Sequence, residues 1–376
     1  MKKNKRVNKQ GGGDEVFLWP NNLHERIYAG FAASELELLC DWSLRGYDLD
    51  LPYKSSIWIY WAAELYSFGR CYREWIGLKS WYPLPIIGDH GVDLSGVLGL
   101  SESRINTASY VTWDLDRSKS LKKRSEKRII RIPHPWITFR RRNRLSKKNS
   151  ARGTVIFLSH STVGKDFVDY DYDKYFSELV SLPEEYHPLV ICMHMHDINK
   201  KYHLNFRKYG IPIVTAGDTS SPYFIERFYS IISRFNFATS NTGGSELFYC
   251  EEFGVRYFIK GEAPVYVNHS DSGLPLGEVK YRDHVERISD QRKRSLFSEF
   301  PPRGGNEKKE FVKSVLGLDV NEEVARCLFK SALNVELRRH FGQVLLIMGL
   351  TFIKRIMPSR FILSLRKTKH VLKINF

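Results

Sequence analysis

Five short, mostly apolar runs recur along the second half of the chain, at residues 154–158, 187–193, 211–215, 236–240 and 256–259, with helix-forming stretches between them. Runs that are apolar throughout, without alternation, belong to strands buried on both faces, and the helices between them are the crossovers that a parallel sheet needs. In such a sheet the carboxyl ends of all strands open on one edge. The polar segments after the runs must therefore meet. These are Ser159, His160, Ser161 and Thr162 after the first, and His194, His196 and Asp197 after the second. Residues 217–219 with Asp218 follow the third, the turn 240–245 the fourth, and residues 260–262 the fifth.

The fourth segment carries the most specific chemistry. Ser240, Asn241, Thr242, Gly243, Gly244, Ser245 and Glu246 read as a strand end, a tight turn and the start of a short helix that Gly254 stops. The first amides of a helix have no acceptor within it and carry a partial positive charge, so with the hydroxyls of Ser240, Thr242 and Ser245 they offer a seat for a phosphate or diphosphate. An ordinary strand-to-helix connection uses the same glycines, and the turn alone does not separate the two. Convergence of five polar loops favours a ligand.

The first half predicts helices over 33–44 and 56–75, then an apolar run at 84–87 that ends in Gly88, Asp89, His90 and Gly91. Asp89 or Asp93 beside His90, on a glycine-flanked loop past a strand, suits a general base that deprotonates a hydroxyl; a polar turn whose Asp caps the next helix is the alternative. Strand, helix and strand follow at 109–113, 116–127 and 128–132. His134, between two prolines, is expected to be structural. Residues 140–150 read as a linker. These breaks divide the chain into a disordered tail (1–14), an α/β domain (15–145), a second α/β domain with a parallel sheet (150–270) and C-terminal helices (275–376).

His194, His196 and Asp197 also invite a metal. In an extended strand end the two imidazoles face one way and the carboxylate the other, so contact with a substrate phosphate or hydroxyl is expected and no metal. The five cysteines lack paired spacing, which fits a reducing cytoplasm. No signal peptide and no membrane span are expected. A formal charge of +16 favours phosphate-bearing partners, but basic residues are not interleaved with aromatics on one module, so no nucleic acid is expected. The uncharged run 341–353 lies between basic pairs and precedes a second apolar and basic stretch at 361–373. Residues 338–373 thus suit an interfacial segment on an anionic membrane surface; a helix buried against the fold is the alternative.

With these residues in place, 153–264 resembles the nucleotide-sugar-binding domain of GT-B glycosyltransferases, of the kind that build bacterial capsule and lipopolysaccharide. The resemblance implies two Rossmann-like domains and makes 15–145 the acceptor-side domain and 150–270 the nucleotide-sugar-binding one, with donor phosphates held by Ser240, Thr242, Gly243, Gly244 and Ser245 and with Ser159 to Thr162 beside the donor. It places Asp89, His90 or Asp93 as the base of an inverting, metal-independent transfer. A nucleotide-sugar is then co-substrate, no further cofactor is used, and the acceptor is a glycan or a lipid-linked sugar. The paired glutamates of retaining members are absent around Glu246, Glu251 and Glu252. A cytidine-activated polyol phosphate transferase or a non-catalytic polysaccharide-assembly factor would use the same scaffold.

Overall fold

The computed structural model describes residues 59–160, 165–168, 170–217, 219–268, 277–278 and 281–356. Two parallel sheets organise them. In the first lobe β1 (Ile87–Gly88), β2 (Ser109–Thr112) and β3 (Arg128–Arg131) lie side by side in that order. In the second, β4 (Thr154–Phe157), β6 (Leu189–Cys192), β7 (Ile213–Val214), β8 (Phe237–Ser240) and β9 (Arg256–Ile259) make a five-stranded sheet ordered β7-β6-β4-β8-β9. Every residue of β4 and β6 is buried, as a strand covered on both faces requires. All five runs of the second half are strands. A small antiparallel sheet of β5 (Lys165–Val168), β10 (Val265–Asn268) and β11 (Gly277–Glu278) was not foreseen, because partners distant in sequence leave no local period to read.

The helix expected over 56–75 is broken. Tyr66 and Ser67 take left-handed backbone, with φ of 54° and 63°, and α1 (Phe68–Ile76) begins only after them. Contacts with the second lobe hold this conformation. Tyr66 N–H donates to Thr219 O at 2.6 Å, while Ser67 Oγ donates to Ser221 O at 3.0 Å and accepts from Ile225 N–H at 3.2 Å. After α2 (Leu100–Arg104) and α3 (Leu115–Arg124), α4 (Pro135–Arg142) absorbs the first residues of the expected linker. Arg140 cannot be a free linker side chain, since its Nη2 lies 2.5 Å from Glu252 Oε1 in the second lobe.

The second lobe adds α5 (Tyr172–Val180), α6 (Met195–Asn199), α7 (Phe224–Ile232) and α8 (Ser245–Phe253). Residues 202–209 form a 3-10 helix. The chain then returns across both lobes through α9 (His284–Phe297), α10 (Asn306–Val315) and α11 (Glu322–Arg339), and ends its described part in α12 (Phe341–Ile356). Phe311 of α10 packs on Phe248 of α8, and Phe329 of α11 stacks on Tyr72 of α1 with ring centroids 5.0 Å apart. A large buried cluster joins Phe68, Trp113 and Trp136 to Phe157, Tyr249 and Phe329, and a separate one gathers Phe176, Ile191 and Phe258. The predicted tail 1–14, the helix 33–44 and the stretch 361–373 lie outside the described residues. Among the described residues no helix is long and apolar enough to cross a membrane.

Candidate functional site

In the order β7-β6-β4-β8-β9 the chain runs outward in opposite directions from β4, so the crossovers diverge between β4 and β8 and leave a crevice at their carboxyl ends. The loops on either side of it are bonded together. Ser159 Oγ donates to Asn241 Oδ1 at 2.9 Å and lies 3.2 Å from Thr242 Oγ1. Asn241 Nδ2 in turn donates to Glu262 O at 2.9 Å, which draws in the loop after β9. The imidazole of His160 stacks on that of His194, centroids 4.2 Å apart and planes 14° off parallel.

His194 departs from expectation in backbone and keeps its place in the site. The strand stops at Cys192, and His194 caps α6, its Nδ1 accepting from His196 N–H at 3.2 Å. Here the two-residue spacing serves a helix cap and not an extended strand. Nδ1 is therefore unprotonated and Nε2 carries the hydrogen, 3.3 Å from Tyr66 Oη. Burial, helped by His160 and His196, holds the His194 pKa well below the usual histidine range, so the ring is neutral. His194 lines the crevice; His196 and Asp197 are not part of its described lining. No group of three or more potential metal ligands is assembled among the described residues.

The glycine turn is built more tightly than its sequence suggests. Ser240 Oγ, fully buried, accepts from Thr242 N–H at 3.2 Å and Gly243 N–H at 2.7 Å, with Tyr257 Oη 2.7 Å away. Gly244 N–H is taken by Glu246 Oε1 at 2.8 Å. Ser240 is thus internal to the turn, and of the amides expected to face outward only those at the start of α8, Ser245 and Glu246, lack an acceptor within the turn or helix. Gly243 is required here: its φ is 66°, and a Cβ would stand 2.8 Å from Leu247 Cδ1 and 2.9 Å from Ile259 Cδ1.

The first lobe brings its 89–93 loop to this helix end. Val92 N–H donates to Ser245 Oγ across 2.8 Å. Asp89 is buried and fully engaged, accepting from Tyr110 Oη at 2.7 Å, Thr112 Oγ1 at 2.6 Å and Arg117 Nε at 3.0 Å. Asp93 is held by Arg117 Nη2 at 3.1 Å and by Arg282. Burial pushes the Asp93 carboxyl up, but Arg117 and Arg282 together outweigh it and hold the carboxyl below its ordinary range. Both carboxylates anchor the loop, and His90 between them lines the crevice. His134, as expected, is structural: buried, it caps α4 by accepting from Trp136 N–H at 3.1 Å, and its Nε2 meets Tyr249 Oη at 3.0 Å.

The crevice consists of two adjoining cavities of about 520 and 830 Å³, both lined by Tyr66, His90, His160, Thr242, Ser245 and Arg282. The smaller runs inward between Phe68, Trp136, Phe157 and Phe228 and is mostly apolar; the larger opens past Asp93, Lys293 and Arg294. Of the expected site residues, Asp89, His90, Asp93, Ser159, His160, His194, Thr242, Gly243, Gly244, Ser245 and Glu246 line these cavities. Ser161, Thr162 and Asp218 lie outside the described residues. Tyr66 and Arg282 were missed. One sits in what reads as an ordinary aromatic helix and the other in a charged stretch, and neither leaves a local signal.

No protein-family model matches the chain, and no curated protein matches it. Among solved structures it is similar to the wall teichoic acid polymerase TagF, with 11% identity over 74% of this chain and 70% of that one and a TM-score of 0.30. It is also similar to the pneumococcal O-GlcNAc transferase GtfA, solved in complex with UDP and GlcNAc, with 12% identity over 63% of this chain and 45% of that one and a TM-score of 0.24. Likeness this slight carries no function by itself.

Proposed function

We propose that the chain is a glycosyltransferase that moves a sugar from a nucleotide-activated donor to a hydroxyl of a glycan or lipid-linked acceptor used in surface polysaccharide, with inversion and without a bound metal. The observation that supports this best is the bond from Val92 N–H to Ser245 Oγ, 2.8 Å. It sets a histidine loop of one parallel-sheet lobe and a helix N-terminus of the other on the same cavity.

In this reading the amides of Ser245 and Glu246 and the hydroxyl of Thr242 meet the donor phosphates, Ser159 positions the turn through Asn241, and Arg282 supplies a cation at the junction of the two cavities. The acceptor oxygen bonds to the anomeric carbon as the bond from that carbon to the phosphate oxygen breaks. His90 takes the acceptor proton, and the nucleotide leaves with the electron pair. His90 is preferred to its neighbours because Asp89 and Asp93 are both committed to Arg117. The aromatic inner wall keeps water from competing as acceptor.

Thermal melts with a panel of nucleoside mono- and diphosphates test the donor site, since a ligand that binds only the folded chain raises its melting temperature. At least one nucleotide should raise it, and Gly244→Asp, which puts a carboxylate at the phosphate seat, should abolish the rise. No shift with any nucleotide would remove the proposal. Product mass then separates an added sugar from an added polyol phosphate.

A further inference from the structure

We propose that the corner where α11 meets α12 is a docking face for an anionic lipid bilayer. This stands independently of the transfer reading, because it rests on side chains that line neither cavity of the crevice.

Three large apolar residues of α12 project into solvent: Phe341, Leu345 and Leu346 are 63%, 51% and 60% exposed, while Val344 between them is buried. Val335, near the end of α11, adds a fourth at 47%. Scattered exposed apolar residues are ordinary, but four on one helical corner are a patch. The described part of α12, 16 residues and about 24 Å long, is suited to lying in a bilayer surface, and no helix among the described residues is long and apolar enough to cross one.

Charge specifies the occupant. Next to the patch, a cavity of about 830 Å³ is lined by Arg104, Arg124, Lys127 and Arg339, against the single carboxylate of Glu126. Arg124 also pairs with Asp283 at 3.1 Å, and Lys127 Nζ donates to the carbonyls of Ile105 and Thr107 at 2.5 and 2.9 Å. Arg339 belongs to both features: it ends α11, two residues before Phe341, and its Nη2 donates to Asn106 Oδ1 at 2.7 Å on the cavity wall. Arg338 and Lys330 line a groove on α11 together with Val335 of the patch. An apolar edge set between cations matches a bilayer whose headgroups are anionic and whose interior is apolar. A second copy would bring the same cations against each other, and a nucleic acid has no use for the exposed Phe and Leu side chains.

Co-sedimentation of the full chain with vesicles tests this. It should pellet with mixed phosphatidylcholine–phosphatidylglycerol vesicles, not with phosphatidylcholine alone, and less as salt rises. The double variant Leu345→Glu/Leu346→Glu should bind at least tenfold more weakly, and Arg104→Ala and Arg338→Ala about five-fold each, all with an unchanged melting temperature and unchanged nucleotide response. If the double variant folds poorly, Phe341→Ser replaces it. Wild-type binding that survives these substitutions and is lost only when residues 357–376 are removed would overturn the assignment. So would a self-association that the same substitutions abolish.

Discussion

Arg117 and Asp89 form a buried ion pair, Nη2 to Oδ1 at 2.9 Å, and Asp89 is the residue immediately before His90. The pair is the anchor of the loop rather than its chemistry. Removing one member leaves the other charged and buried, which costs about 3–5 kcal/mol. Asp89→Ala should therefore lower stability by that amount in denaturant unfolding. The sequence alone predicts a base at this position whose loss spares the fold, and an unchanged unfolding midpoint would restore that role.

His90→Ala should fold with wild-type stability and bind the donor nucleotide unchanged, while turnover falls about 10²- to 10⁴-fold, the range for loss of a general base. Calorimetry with the nucleotide and a product assay on the same preparation check both halves. Undiminished transfer would move the base elsewhere in the crevice.

Gly243→Ala should destabilise by about 1–3 kcal/mol, because a side chain must adopt left-handed backbone there and its Cβ meets Leu247 and Ile259. Nucleotide affinity should fall with it. Gly254→Ala, where φ is 86° and nothing stands near the added carbon, should lower stability through backbone strain and leave nucleotide affinity intact.

Asp114 caps α3 by accepting from Arg117 N–H at 2.6 Å, and burial pushes its pKa up to about 7. The folded chain thus holds this proton more tightly than the unfolded chain, where the carboxyl titrates near 3.8. The stability it contributes is full below the unfolded value and is lost as pH rises through about 7. Asp114→Asn keeps the cap and removes the titration. Between pH 4 and 7 its stability should fall less steeply than that of the wild type, by up to about 1.4 kcal/mol per pH unit, as read from unfolding midpoints across the series.

Phe329→Ala tests how α11 fastens to the first lobe. The ring is fully buried between Tyr72 and Trp75, and its loss should cost about 3–5 kcal/mol in unfolding.

What could be read beforehand was what is encoded locally. The strands of the second sheet announce themselves as Val155–Ile156, Val190–Ile191 and Ala238–Thr239, apolar or small on both faces, and their order of appearance implied a shared edge for Ser159, His194 and Thr242. Tyr66 could not be found that way. Its left-handed backbone is imposed by Thr219 and Ser221, far along the chain, and local periodicity points to an unbroken helix instead. The same holds for Asp89 and Asp93: next to His90 they look like chemistry, and only the distant Arg117 and Arg282 show them to be anchors. His194 misled for a different reason, because a two-residue histidine spacing fits a strand end and a helix cap equally well.

Trp136 packs within 4.6 Å of Tyr249, ring centre to ring centre, and its Nε1–H donates to Tyr66 O at 2.8 Å. Aromatic rings from both lobes and from the returning helices therefore knit into one solid wall behind the crevice. Such a wall resists bending, and a molecule so braced behaves less like a jaw than like a mould, its hollow already cast before anything arrives to fill it.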